Sequence, residues 1–403
     1  MDPSEPGVAR VEAPGCPVAK ETARLRDLRE VSSAPRSDVP GGRPSRVRVL
    51  PRVPGPRAAA RPDDSRGDLR GRRRLTTFSV VIPTHRRPDI LVKVLDALDH
   101  QENPPEFEVV VVDDGSGDST PDRLHAHQAS YPLRCFFQES SGPARARNRG
   151  VREARGDIVV FLGDDTVPEP VLLAVHAATH AERREGALAV LGYTTWPREQ
   201  WVSPFLHHIN EYGLQFGYGL IEDRDSVPFN FFYTSNISLR RKLLEEAGLF
   251  DTTFPHAAWE DIEIAYRLTK RGMRIVYRPD AVARHYHDLR FDSFRRRQRR
   301  SGEAAAIFFE KHPELGGFLG VPQALTFVDG SGFADRLRVL WASLAERWDL
   351  PGGRQAVDRV LRDDYLRGLA GSLEARGWSA TGAPPRAAGT AGTPAERAGD
   401  SSR

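Results

Sequence analysis

Between residues 78 and 162, short β-branched apolar runs alternate with segments whose apolar side chains recur at helical spacing. This rhythm restricts what the chain can fold into more than any other feature. Residues 78–82 read as a strand, and Ile90, Leu91, Val94, Leu95 and Leu98 then mark one face of a helix. Residues 107–112 form the next strand, closed by the turn signal Asp114-Gly115-Ser116, and Leu133–Gln138 is the third. Pro143 suits the first turn of a helix over 143–154. Residues 157–162 are a nearly continuous apolar run of the kind that forms a strand buried on both faces. Repeated strand–helix–strand units predict an α/β fold with a mostly parallel sheet flanked by helices. In such sheets ligands bind beyond the carboxyl ends of the strands.

Composition sets the outer limits. Residues 1–75 are rich in Pro, Gly, Ala and Arg and carry 17 basic against 10 acidic side chains, with no sustained apolar period. Such a segment buries too little surface to offset its ordering entropy, so it reads as a disordered basic tail, and 378–403 as a second tail. The chain's net charge is +3, so the remainder is mildly acidic and nucleic acid is not an expected partner. Cys16 and Cys135 are the only thiols, which excludes a disulfide framework and fits a reducing cytoplasm. No run approaches the roughly 20 apolar residues of a membrane span, and no apolar core follows the N-terminus. The expected protein is cytoplasmic, at most lying against the inner face of the cell membrane.

The chemistry gathers at the strand ends. Residues 78–82 run into Pro83-Thr84-His85-Arg86-Arg87, residues 107–112 into Asp113-Asp114-Gly115-Ser116, and residues 157–162 into Gly163-Asp164-Asp165-Thr166. Like charges held close repel unless a cation or hydrogen-bond donors answer them, so two acidic clusters at neighbouring strand ends point to a ligand. Adjacent strand residues face opposite ways, so Asp164 and Asp165 can share one site only if the chain turns there.

These stretches resemble glycosyltransferase family 2, whose members have a GT-A fold. The resemblance rests on residues 80–84, 110–116, 142–150 and 156–165, followed in order by Trp259-Glu260-Asp261 and by Pro279-Asp280-Ala281-Val282 leading to His285. It covers about 76–312, with a donor half at 76–167 and an acceptor half at 168–312, and leaves 313–377 as a helical extension. It implies an inverting enzyme that takes a nucleoside-diphosphate sugar and a divalent metal, Mn²⁺ or Mg²⁺. It also assigns roles. Asp165 and His285 are metal ligands, with His287 left open. Asp164 reaches the ribose or a metal-bound water. Asp114 meets the nucleobase, beside Pro83, Thr84 and Arg86. Arg145 and Arg147 lie near a helix start that favours the donor's anionic groups. Asp261 is the general base for the acceptor hydroxyl, with Trp259 and Glu260 on the acceptor side together with Ser235 and Asn236. Imidazole beside carboxylate shifts the metal preference toward Mn²⁺.

The acceptor is expected to be a glycan or a lipid-linked sugar, in polysaccharide or surface-glycan synthesis. Aromatic residues crowd 196–240, where rings can stack on sugars or simply fill a core. Residues 291–309 read as a helix with five arginines at 295–300, suited to a diphosphate, an anionic membrane or a solvated face. Residues 334–375 read as amphipathic helices without assigned chemistry. A nucleotidyltransferase would need a glycine-rich basic loop after the first strand, and Pro83-Thr84-His85 is not one. A dehydrogenase would need G-x-G-x-x-G there. A non-catalytic sugar-nucleotide or glycan-binding protein would have no use for both Asp164-Asp165 and Asp261.

Overall fold

Val109–Val112 is apolar at every position, so a strand built from it must be covered on both sides. The computed structural model describes residues 77–183, 185–213, 215–328 and 332–378 and meets that demand with a sheet between two helical layers. The disordered tail expected at 1–75 lies outside these residues, as does all but the first residue of the one expected at 378–403. The strands are β1 (Phe78–Thr84), β2 (Phe107–Asp114), β3 (Leu133–Gln138), β4 (Ile158–Leu162), β5 (Thr166–Pro168), β6 (Leu188–Thr195), β7 (Asn236–Arg240) and β8 (Arg274–His285). Their order is β3-β2-β1-β4-β7-β6-β8-β5. Strands β1 to β4 are parallel, β7 opposes both β4 and β6, β8 runs with β6, and β5 opposes β8 at the edge.

The helices are α1 (Pro88–Asp99), α2 (Thr120–Ala126), α3 (Pro143–Glu153), α4 (Leu172–Glu182), α5 (Pro204–Glu211), α6 (Arg241–Glu246) and α7 (Glu260–Lys270). The alternate side chains of β1, β2 and β4 divide between two cores. Val80, Ile82, Val109 and Val111 pack with α1, α2 and α4. Val81, Val110, Val112 and Phe161 pack with α3, α6 and α7. The chain leaves β1 to one side and β4 stands on the other, so the crevice between their carboxyl ends is a topological switch point.

Pro279-Asp280 carries the local signal of a turn. It does not end a strand; β8 continues to His285, and the irregularity is absorbed where pairing with β6 slips between Gly192 and Tyr193. Gly192 pairs with Arg278 but Tyr193 pairs with Val282, so the intervening residues bulge. That extension carries His285 to the edge of the crevice.

Three further helices, α8 (Phe291–Lys311), α9 (Phe333–Ala345) and α10 (Gly353–Ala375), form a layer of their own. The crossing of α8 and α10 depends on glycines: a Cβ on Gly302 would stand 2.0 Å from the Tyr365 carbonyl oxygen, and one on Gly368 2.0 Å from that of Arg299. Among the described residues no helix is long and apolar enough to cross a membrane. Gly302→Ala must push two backbones apart and should lower the unfolding free energy by about 1–3 kcal/mol in urea denaturation. Gly371→Ala on α10 meets nothing within 4 Å and should be neutral or slightly stabilising, which separates crowding from helix propensity.

Candidate active site

Strand β4 stops at Leu162, and Thr166 N–H closes a turn onto the Gly163 carbonyl at 3.2 Å before β5 begins. The turn brings Asp164 and Asp165 to one side of the sheet's end, where they are only 9% and 7% exposed. Gly163 makes the turn possible by close approach, since a Cβ there would lie 2.5 Å from Thr166 Oγ1 and 3.1 Å from Asp165 Oδ1. β5 then pairs with β8 so that Thr166 stands opposite His285, and Tyr286 N–H donates to the Asp165 carbonyl at 2.7 Å. A two-strand edge thus fixes the acids against the histidines.

Cationic and imidazole groups surround Asp165. Its Oδ2 is 3.4 Å from His285 Nε2 and 3.1 Å from His287 Nδ1, and the Arg87 guanidinium donates to the same oxygen. Arg87 also reaches Asp164 Oδ1 at 3.3 Å and lies 3.5 Å from His287 Nδ1. Burial would raise the Asp165 carboxyl, but His285, His287 and Arg87 outweigh it and hold it well below the usual carboxylate range. Asp164 moves the other way, pushed up first by burial and then by the charge of Asp165. Thr84 Oγ1 and His85 N–H donate to its Oδ2 at 2.8 and 3.4 Å.

This donor set fits a divalent cation. Asp165, His285 and His287 offer one oxygen and two nitrogens within 4.8 Å of one another. His285 Nδ1 is buried without a hydrogen-bond partner among the described residues, and the Trp196 ring stacks on the imidazole at 5.9 Å. The guanidinium of Arg87 stands in for a cation, touching both carboxylates.

The ends of β1 and β2 form the adjoining wall. Asp113 Oδ1 accepts from the Ser116 N–H at 3.0 Å and from its hydroxyl, so it caps its own turn. Asp114 accepts from Gln138 Nε2 at 2.8 Å, Ser141 N–H at 2.9 Å and Gly142 N–H at 2.8 Å, which ties the loop ahead of α3 to β2. His85 Nδ1 donates to the Asp114 carbonyl at 2.8 Å. Pro83 is half-buried in β1, and Arg86, with a left-handed φ of 55°, donates through Nε to the Ser116 carbonyl at 2.8 Å.

A second acidic group lies at the start of α7. Trp259 has φ 70°, a conformation that costs a non-glycine residue about 1–2 kcal/mol. It is held there by donation from Nε1 to the Ser301 carbonyl at 2.9 Å and by contacts with Phe308, Phe318 and Tyr365. Glu260, 2% exposed, accepts from Arg147 Nη1 at 2.7 Å while its other oxygen is buried without a partner among the described residues. Asp261 is pushed up to about 7, chiefly by burial and then by the Glu260 charge, with Arg147 opposing. A helix N-terminus favours a negative carboxylate, so burial prevails over the dipole here. Arg297 of α8 is exposed, binds Gln215 through its guanidinium, and lies within electrostatic reach of Asp261, Asp165 and Glu260.

The structure therefore gathers Thr84, Asp164, Asp165 and His285 around the turn after β4 and Arg147, Glu260 and Asp261 at the start of α7, with Arg297 within electrostatic reach of both groups. Arg145 is exposed on α3. Ser235 faces Thr194, with 3.2 Å between the hydroxyls. Asn236 is fully buried, its carbonyl oxygen 3.0 Å from His176 Nε2 and its amide donating to the Ala281 carbonyl at 2.8 Å, so it serves the sheet's interior. Arg87 was not singled out from the sequence, and Arg297 only as one of the five arginines at 295–300. The signal for His287 was its offset of two from His285, which keeps two extended residues on one face. The Arg147–Glu260 pair gives a stability test. Arg147→Leu leaves a buried carboxylate unanswered and should cost about 3–5 kcal/mol in denaturant unfolding, with much of it restored in the Arg147→Leu, Glu260→Leu double variant.

The chain is similar to known glycosyltransferases. The family model for "Glycosyl transferase family 2" matches residues 79–248. An uncharacterized glycosyltransferase, YfnE, from Bacillus subtilis is 29% identical over 253 residues, 51% of this chain and 64% of its own length. Validoxylamine A glucosyltransferase from two Streptomyces hygroscopicus strains is 30% identical over 318 residues, 70% of this chain and 66% or 71% of the relative. The chain thus spans about two thirds of the length of these relatives. A mannosyltransferase from Pyrobaculum calidifontis, solved with GDP-Man and Mn2+, is 21% identical with a TM-score of 0.49, covering 72% of this chain and 86% of its own. The ordered motifs, the family match and the 30% identity over most of the chain make this protein a member of glycosyl transferase family 2.

Proposed function

We propose that the protein is a metal-dependent, inverting transferase that moves a hexosyl group from a nucleoside-diphosphate sugar to a hydroxyl of a glycan or lipid-linked acceptor. The observation that carries this reading is the pairing of a cation-binding cluster at the β1/β4 switch point with a separate carboxyl, Asp261, raised to about 7. The relative named a glucosyltransferase supports a hexosyl donor.

Asp165, His285 and His287 would hold the cation, and two imidazoles beside one carboxylate favour Mn²⁺ over Mg²⁺. When bound, the cation neutralises charge developing on the departing diphosphate. Asp164, held by Thr84, is left for the ribose or a bound water. Arg87 exchanges its carboxylates for phosphate oxygens when the donor arrives. Asp261 takes the proton from the acceptor hydroxyl as that oxygen attacks the anomeric carbon and the bond to the diphosphate breaks. The Arg147–Glu260 pair and the fixed Trp259 aim it. Polysaccharide or surface-glycan synthesis is the expected setting.

Calorimetric titration with Mn²⁺ and nucleoside diphosphate should show binding that Asp165→Ala abolishes and His287→Ala weakens. Asp261→Asn should keep donor affinity while lowering kcat by about 10²–10⁴-fold. Transfer at the wild-type rate by that variant would overturn the base assignment. Because the base must be deprotonated, kcat/KM of the wild type should fall about tenfold per unit as pH drops below about 7, a limb absent from Asp261→Asn.

A further inference from the structure

Helix α9 carries Phe333, Leu337, Leu340, Trp341 and Leu344 at spacings that place them on one face, and Trp348 continues the line beyond its end. These side chains are 77%, 48%, 57%, 42%, 46% and 64% exposed. The opposite face is packed: Ala342 and Ala345 are buried against Val357, Val360, Leu361 and Phe205. The apolar surface continues onto the chain ahead of α5, where Trp201 is 65% exposed and Pro204 shares a small cavity with Trp348. Single exposed apolar side chains are ordinary, but a contiguous row of six marks an interaction surface.

We propose that this face docks on an anionic lipid surface, with α9 lying flat in the headgroup region. Charge selects the partner. The acids of residues 333–354 are all engaged: Asp335 with Arg338, Asp349 with Arg354 at 3.7 Å, and Glu346 with the Phe291 N–H at 3.2 Å. Arg336 and Arg347 are exposed without an ion pair among the described residues, so the surplus charge beside the apolar row is positive. Trp341 on this short amphipathic helix and Trp348 beside Arg347 just beyond it suit the membrane–water boundary. A helix of 13 residues is far too short to cross it. Phe291 N–H ties the end of this surface to the segment that follows His287, so a docked protein would hold its active-site mouth close to the lipid.

The test is co-sedimentation of the full chain with vesicles of phosphatidylcholine alone and of equal parts phosphatidylcholine and phosphatidylglycerol. It reads binding rather than sugar transfer, so it stands or falls apart from the catalytic reading. The wild type should pellet with the anionic vesicles, less with the neutral ones, and less again at high salt. Arg336→Gln with Arg347→Gln should weaken binding to anionic vesicles about 30-fold, near fivefold for each charge. Leu337→Glu with Leu340→Glu should abolish binding, and all proteins should keep the wild-type melting temperature and a monomeric mass by light scattering. Wild-type protein that stays in the supernatant with both vesicles overturns the proposal. So does a wild-type dimer that the Leu337→Glu, Leu340→Glu variant breaks, which would give the face to a second copy.

Discussion

Two carboxylates on consecutive residues, both nearly buried, are stable in one place only if positive or hydrogen-donating groups answer them. Much of the crevice is arranged around that demand. The sheet supplies Thr84 and the His85 N–H for Asp164 from the end of β1. The β5–β8 edge brings His285 and His287 to Asp165, and Arg87 bridges the pair. The two carboxyls then separate in acidity, Asp165 firmly ionised and Asp164 raised. A cation offered to this turn meets one strong anionic ligand and two neutral-capable imidazoles, and need not displace protons from both acids.

The strands that build this turn were legible because their physics is local. A run such as Val109–Val112 has one way to be covered, and Leu133–Gln138 was bounded from sequence as the structure has it. The length of β8 was not legible. Pro279-Asp280 carries the local signal of a turn, yet pairing with β6 tolerates the bulge and the strand runs on to His285. Tertiary pairing there outweighed a local preference, and no window of sequence contains both strands. The acid pair stood out because acidic clusters end neighbouring strands, whereas Asp261, an ordinary acid in a helix's first turn, stood out only through the family resemblance. Arg87 did not, since one arginine in a basic loop carries no mark of which neighbour it will meet. Asn236 shows the converse: its position beside Ser235 suggested the acceptor, but on a strand neighbours face opposite ways, and its amide turns to His176.

In the proposed mechanism Asp261 acts as a base distinct from the residues that would hold the cation. A base needs an acidity near the working pH, and a carboxylate beside a metal would lose its affinity for protons. Burial and the Glu260 charge supply the shift, while Arg147, paired with Glu260, opposes it. The cost of that arrangement is borne by the backbone. Trp259 adopts a left-handed conformation directly before the acid pair, and its indole is gripped by the α8–α10 layer through Ser301, Phe308 and Tyr365. The C-terminal helices are therefore more than an appendage: they hold the residue that directly precedes Glu260-Asp261, and α8 and α10 approach closely enough to do so because they cross on glycines.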